Sequence, residues 1–160
     1  MSAVIQLPVG RSARGRRAQP RAAAATEVSL TAKQKKLIHE SFERIEPARE
    51  LVAQLFCMKL FRLDPSLRTK FASPMDVQAR KFSAAMKLAM ITLNHDEGLR
   101  PILKLLGARH RQLGIRLRHY RTMARALTWT LETSLEKRFT RETKDAWNAF
   151  LNQITRALTV

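Results

Sequence analysis

Apolar residues recur every three to four positions along most of this chain, in runs long enough to predict helices rather than strands. Thr31 followed by Gln34 has the spacing of a capping box, after which Leu37, Ile38, Phe42 and Ile45 line one face of a first helix. Pro47 suits the first turn of a second helix carrying Leu51, Leu55, Phe56, Met58 and Phe61, and Asp64-Pro65 begins a short third turn through Leu67. Ser73-Pro74-Met75-Asp76 reads as a cap, a first-turn proline and an acid three residues after the cap. The helix it opens aligns Gln78, Phe82, Ala85 and Ala89 on one face. Residues 94–98 interrupt the pattern. Pro101 then opens a segment aligning Leu103, Leu106 and His110, which Gly114 is placed to end. A longer helix carries Tyr120, Met123, Leu127, Leu131 and Leu135. Thr140 caps a last one whose stripe is Trp147, Phe150, Leu151, Ile154 and Leu158. No strand pattern and no internal repeat stands beside these helices, so the fold class is all-α.

Length, charge and cysteine content narrow the picture. The 160 residues are enough for one well-buried core and too few for two ordinary domains. Residues 1–27 read as a disordered basic tail, interrupted by Pro8, Gly10, Gly15 and Pro20, and open to two readings: a solvated tail or an organellar targeting segment. Residues 28–160 form the folded domain. Removing the tail's five arginines from a net charge of +17 still leaves +12, which keeps a polyanion partner such as nucleic acid in play. The single cysteine, Cys57, cannot form an internal disulfide, and no apolar run reaches the roughly 18 residues of a membrane span. A soluble, cytoplasmic chain with no membrane insertion is expected.

His110 is flanked by Arg109 and Arg111, and by itself it reads as a surface histidine. Its neighbourhood says otherwise. Leu60-Phe61-x-Leu63-Asp64-Pro65-x-Leu67-Arg68-x-x-Phe71 is similar to the end of the second globin helix and the phenylalanine beyond it that stacks on haem. Met75-x-x-Gln78-x-x-Lys81-Phe82 resembles the distal helix of bacterial single-domain haemoglobins and flavohaemoglobins. Leu106-Gly107-x-Arg109-His110-x-x-x-Gly114-Ile115 through His119-Tyr120 resembles the proximal segment of those proteins and of neuroglobin, and Trp147 sits where the family's last helix commonly carries tryptophan. The resemblance covers roughly residues 30–158. It implies haem b, with iron ligated by His110 and the other face open to dioxygen, nitric oxide or carbon monoxide. It also implies a pocket drawn from Phe71, Gln78, Lys81, Phe82, Leu106, Ile115, Tyr120 and Met123, with Cys57, Gln78 and Phe82 on the gas side. Phe71 would stack on the porphyrin, Gln78 would donate to bound dioxygen, and Lys81 would reach a propionate. His39, His95 and His119 read as ordinary solvent-exposed or helix-end residues.

The chain also departs from the pattern. Where bacterial relatives carry a tyrosine in the second helix, Cys57 offers only a weak thiol donor, which implies faster dioxygen release, measurable by stopped flow. Tyr120, ten residues after His110, matches a tyrosine that flavohaemoglobins pair with a late glutamate; the sequence ends at Val160 before that glutamate would appear. The leading expectation is therefore a gas-binding module for carriage, storage or sensing. The alternatives are a nitric oxide dioxygenase served by an external reductase, and a basic helical polyanion binder. Arg109, Arg111, Arg116, Arg118, Arg121 and Arg125 motivate the last, although the run as a whole does not share one helical face.

Overall fold

Seven helices carry the chain in the computed structural model, which describes residues 29–160 and, for 96–99, the backbone alone; the expected tail at 1–27 lies outside the described residues. They are α1 (Ala32–Ile45), α2 (Arg49–Leu63), α3 (Ser66–Lys70), α4 (Met75–Thr92), α5 (Asp96–Gln112), α6 (Leu117–Leu135) and α7 (Arg141–Thr159). Among the described residues there is no strand, and no helix is long and apolar enough to cross a membrane.

The predicted caps hold α1 and α7 in place. Gln34 N–H donates to Thr31 Oγ1 at 3.1 Å while Thr31 N–H donates to Gln34 Oε1 at 2.9 Å, and Thr140 Oγ1 accepts from Thr143 N–H. Packing then pairs elements distant in sequence: α2 lies against α6 and α4, α1 against α7, and α5 against α7. The centre is filled by Trp147, Ile38, Leu67 and Leu131, all fully buried. Trp147 Nε1 donates to Ser41 Oγ at 2.9 Å, and Ser41 Oγ in turn donates to the Leu37 or Ile38 carbonyl, so this polar contact in the core is satisfied.

Three local expectations are corrected. On α2, Leu51 and Met58 point to solvent, and the buried side is Val52, Ala53, Phe56, Cys57 and Leu60. Its small members, Ala53 and Cys57, leave room for the close approach of α4 and α6. Ser73 does not cap α4, whose N-cap is Pro74; Ser73 Oγ instead accepts from Lys81 Nζ at 2.9 Å. Finally, α5 begins at Asp96, so Pro101 lies inside the helix rather than opening it. One intrahelical bond is forfeited there, a cost met by the docking of α5 on α7.

Candidate haem site

The consecutive helices α4 and α5 hold different partners, α4 on α2 and α5 on α7, and touch each other only slightly. The thinly packed boundary between them is the candidate haem crevice. His110 stands on its α5 side, one turn from the C-terminus of that helix, and the helix end fixes it. Gly114, at φ +73°, takes the left-handed conformation that closes the helix. Gly114 N–H donates to the Arg111 carbonyl and Ile115 N–H to the His110 carbonyl, both at 2.9 Å, which is the double bond pattern of a Schellman motif. The predicted site residue Ile115 thus anchors the His110 backbone directly, and it is buried.

The His110 ring is half-buried, with its Nδ1 3.0 Å from Tyr120 Oη and its edge toward Phe71 at 6.0 Å between centroids and 84° between planes. Burial lowers the pKa of His110 below its ordinary 6.5 and raises that of Tyr120 above its ordinary 10.0, with Arg111 pulling Tyr120 partly back. At neutral pH the pair is therefore imidazole and phenol. Because Tyr120 engages Nδ1, it is Nε2 that remains, without a hydrogen bond among the described residues. Phe71 is positioned by its own backbone: Phe71 N–H closes α3 onto the Leu67 carbonyl, and Arg68 Nη1 grips the carbonyls of Phe71 and Ser73.

The remaining predicted residues divide. Leu106 and Met123 are half-buried against the core, Leu106 one helical turn before His110. Gln78 is half-buried in the first turn of α4, with no side-chain hydrogen bond among the described residues. Phe82 stacks on Phe56 of α2 with ring centroids 3.8 Å apart, and so forms the wall between crevice and core. Lys81 is exposed and held by Ser73. Cys57 is buried, and desolvation pushes its pKa up to about 11 although nearby Arg68 opposes the shift. It is a thiol, not a thiolate, at neutral pH. The structure thus joins His110, Tyr120, Phe71 and Ile115 by direct contacts, and leaves Gln78, Cys57, Lys81 and Phe82 on other elements.

One functional-looking residue escaped the sequence reading. His119, expected to be exposed or at a helix end, is at the start of α6 but fully buried. Its Nδ1 accepts from Arg116 N–H at 2.8 Å, and its Nε2 lies 4.0 Å from Asp64 Oδ2. Arg118 Nε lies 3.2 Å from the same Nε2. A histidine three residues after the start of a helix, in the place of a capping-box glutamine, is the only signal the sequence offered.

Do these residues fit a haem? Among the described residues no cluster of three or more His, Cys, Asp or Glu could hold a bare metal ion. A metal held by one imidazole must bring its other in-plane ligands with it, as a porphyrin does. His110 supplies that imidazole, neutral and oriented through Nδ1, beside half-buried apolar side chains of α4, α5 and α6. The donor set fits. The family model described as Globin matches residues 55–158 of this chain. Among solved structures, the crystal structure of a hexacoordinated haem protein from an anhydrobiotic tardigrade, at pH 4, superposes with a TM-score of 0.73. That match is at 19% identity and spans 81% of this chain and 93% of the other. With a helix order, a Schellman-fixed histidine and a family match that all coincide over the same two-thirds of its length, the chain belongs to the globin family.

Proposed function

We propose that this globin binds haem b through His110 and takes up a diatomic gas (dioxygen, nitric oxide or carbon monoxide) reversibly at the opposite face of the iron, as a binding module rather than an enzyme. The observation that supports it most is the His110 ring, whose Nδ1 is engaged at 3.0 Å by Tyr120 and whose edge faces Phe71, while Nε2 has no hydrogen bond among the described residues. Bound iron would supply the gas-binding chemistry. The chain's own part is to hold one neutral imidazole, to exclude water with Phe71, Phe82 and Leu106, and to offer the Gln78 amide as a donor in the crevice.

The electrostatics favour binding over oxidative turnover. Beyond Tyr120 lies the Arg111 cation, and among the described residues no carboxylate contacts Tyr120 or His110 to strengthen the imidazole's donation to iron. A sixth ligand from the protein is also disfavoured. All four histidines lie in the described residues: His39 and His95 are exposed, and His119 is committed at Nδ1 to the α6 cap. Cys57 keeps its proton. We therefore expect a five-coordinate ferrous spectrum, unlike the hexacoordinated haem protein of the tardigrade.

The test is an absorption spectrum of purified protein, oxidised, reduced and with carbon monoxide, for wild type and His110→Ala. The expected result is a Soret band in the wild type that shifts on adding carbon monoxide, and a perturbed or absent band in the variant. A colourless wild type made with ample haem, or a variant spectrum identical to it, overturns the proposal.

A further inference from the structure

Between residues 98 and 131 the sequence holds eight lysines and arginines and no aspartate or glutamate. Elsewhere several surface cations have acidic partners: Lys33 with Glu142, Arg80 with Asp76, Lys87 with Glu46, Lys144 with Glu132. At the corner where α5 turns into α6, Arg109, Arg111, Arg116 and Arg118 are all exposed, and no carboxylate pairs with them among the described residues. Lys70 joins them, its Nζ 3.3 Å from the Leu113 carbonyl. Arg121 and Arg125 follow Arg118 at i+3 and i+7, so they extend the charge along one exposed face of α6.

Part of this charge has a local role. Arg109 and Arg111 end α5, where cations suit the helix dipole. Arg116 and Arg118 are placed against it, at the N-terminal turn of α6, which carries no acidic residue. Helix stability opposes that placement; Arg118 Nε also donates to His119 Nε2 at 3.2 Å and its charge acts on Asp64, but both arginines remain exposed. Interleaved with these arginines are aliphatic side chains open to solvent: Leu113 at 38% exposure, Leu117 at 49% and, two turns back on α5, Leu105 at 74%.

We propose that the α5–α6 corner docks on an anionic phospholipid surface. The arginines take the phosphates, and Leu113 and Leu117 enter the boundary between headgroups and acyl chains. Other partners fit less well. A single-stranded nucleic acid needs exposed aromatic rings to stack on, but Tyr120 is buried and Trp129 is covered by Lys59, whose Nζ is 4.4 Å from the ring centroid. An acidic protein surface would meet leucines, which seldom anchor protein interfaces. A second copy of a chain carrying +17 is repelled. No helix among the described residues can span the bilayer, so the contact is peripheral. This proposal stands whether or not the crevice holds haem.

The test is flotation of the full chain with vesicles of phosphatidylcholine alone or with three parts in ten of phosphatidylglycerol. Wild type should float with the anionic vesicles and not with the neutral ones. Each arginine near such a surface is worth about a fivefold change in affinity. The Arg116→Gln/Arg118→Gln/Arg121→Gln variant should therefore bind on the order of a hundredfold more weakly. A charge-matched variant at exposed arginines elsewhere, Arg44→Gln/Arg138→Gln/Arg141→Gln, should stay near wild type. Leu113→Ser/Leu117→Ser should lose the binding that survives high salt. Thermal melts of each variant confirm that it is folded. Equal loss in the two arginine triples, no loss in the corner triple, or unchanged high-salt binding in the leucine variant each overturns the proposal. So does a corner triple that floats normally yet no longer binds a DNA duplex, which reassigns the surface to nucleic acid.

Discussion

The two ends of α5 and α7 meet very different surroundings. On the side where α7 packs against α1, the interior is closed: Trp147 and Ile38 are fully buried, and a polar pair, Trp147 with Ser41, is hydrogen-bonded across 106 residues of chain. On the side where α5 looks toward α4, apolar residues stop halfway. Phe71, Phe82, Leu106 and Met123 are all partly exposed, and the two helices scarcely meet. Both regions have the same apolar chemistry, so the difference is one of partners. The first region satisfies itself. The second leaves apolar side chains partly exposed near an imidazole whose Nε2 has no hydrogen bond among the described residues, and the proposed function would have a flat apolar ligand cover them.

That contrast predicts unequal damage. Trp147→Ala empties the closed side and should cost about 3–5 kcal/mol in urea unfolding, while Phe71→Ala at the crevice should cost less than half as much yet speed haem transfer to an apo-globin acceptor. Equal losses of stability from the two would erase the distinction. Gly107 tests the seam between the regions. A Cβ at that position would overlap the Leu158 carbonyl oxygen, so α5 lies on α7 only because residue 107 has no side chain. Gly107→Ala should cost about 1–3 kcal/mol and, by pushing α5 away from α7, displace His110 three residues further on. The checks are the urea midpoint and the rate of haem loss, both of which should worsen. A variant as stable as wild type would mean that the helices slide apart freely.

Local rules were legible in the sequence wherever the chain decides for itself. The Thr31 and Thr140 caps, the Gly114 stop and the Leu103–Leu106–His110 alignment all follow from spacing, because their causes lie within one or two turns. What stayed hidden depends on partners from elsewhere. Leu51 and Met58 fit the helical period of α2 as well as Val52 and Ala53 do, and only the arrival of α4 and α6 chooses between them. Gly107 gave no sign of the α7 backbone it touches. His110 was found through its surrounding motifs, and the Tyr120 bond then matched the expected spacing of ten residues. The flanking arginines pointed the wrong way for His110, whose ring turns inward while theirs turn out.

His119 was read as an ordinary solvent-exposed or helix-end residue, and its burial carries the last and smallest expectation. Arg116, Arg118 and Lys70 face it as cations and Asp64 as the lone anion, and burial with Arg118 outweighs Asp64 to hold its pKa below the ordinary 6.5. Above 6.5 neither the folded nor the unfolded chain binds this proton, and stability does not change. As the pH falls through 6.5, the unfolded chain takes up a proton that the folded chain refuses, so stability drops, by at most about 1.4 kcal/mol per pH unit for one histidine. His110, also lowered, acts in the same direction, whereas Asp64, itself lowered by its bond to Ser66, contributes only at more acid pH. Melting temperatures of wild type and His119→Asn, compared at pH 7.0 and 5.5, separate the two histidines. The asparagine amide oxygen still accepts the Arg116 N–H, and the variant should retain only the part of the acid loss that belongs to His110. Parallel acid losses in the two proteins would mean that the corner tolerates a charged His119, with Asp64 closing on it as a salt bridge.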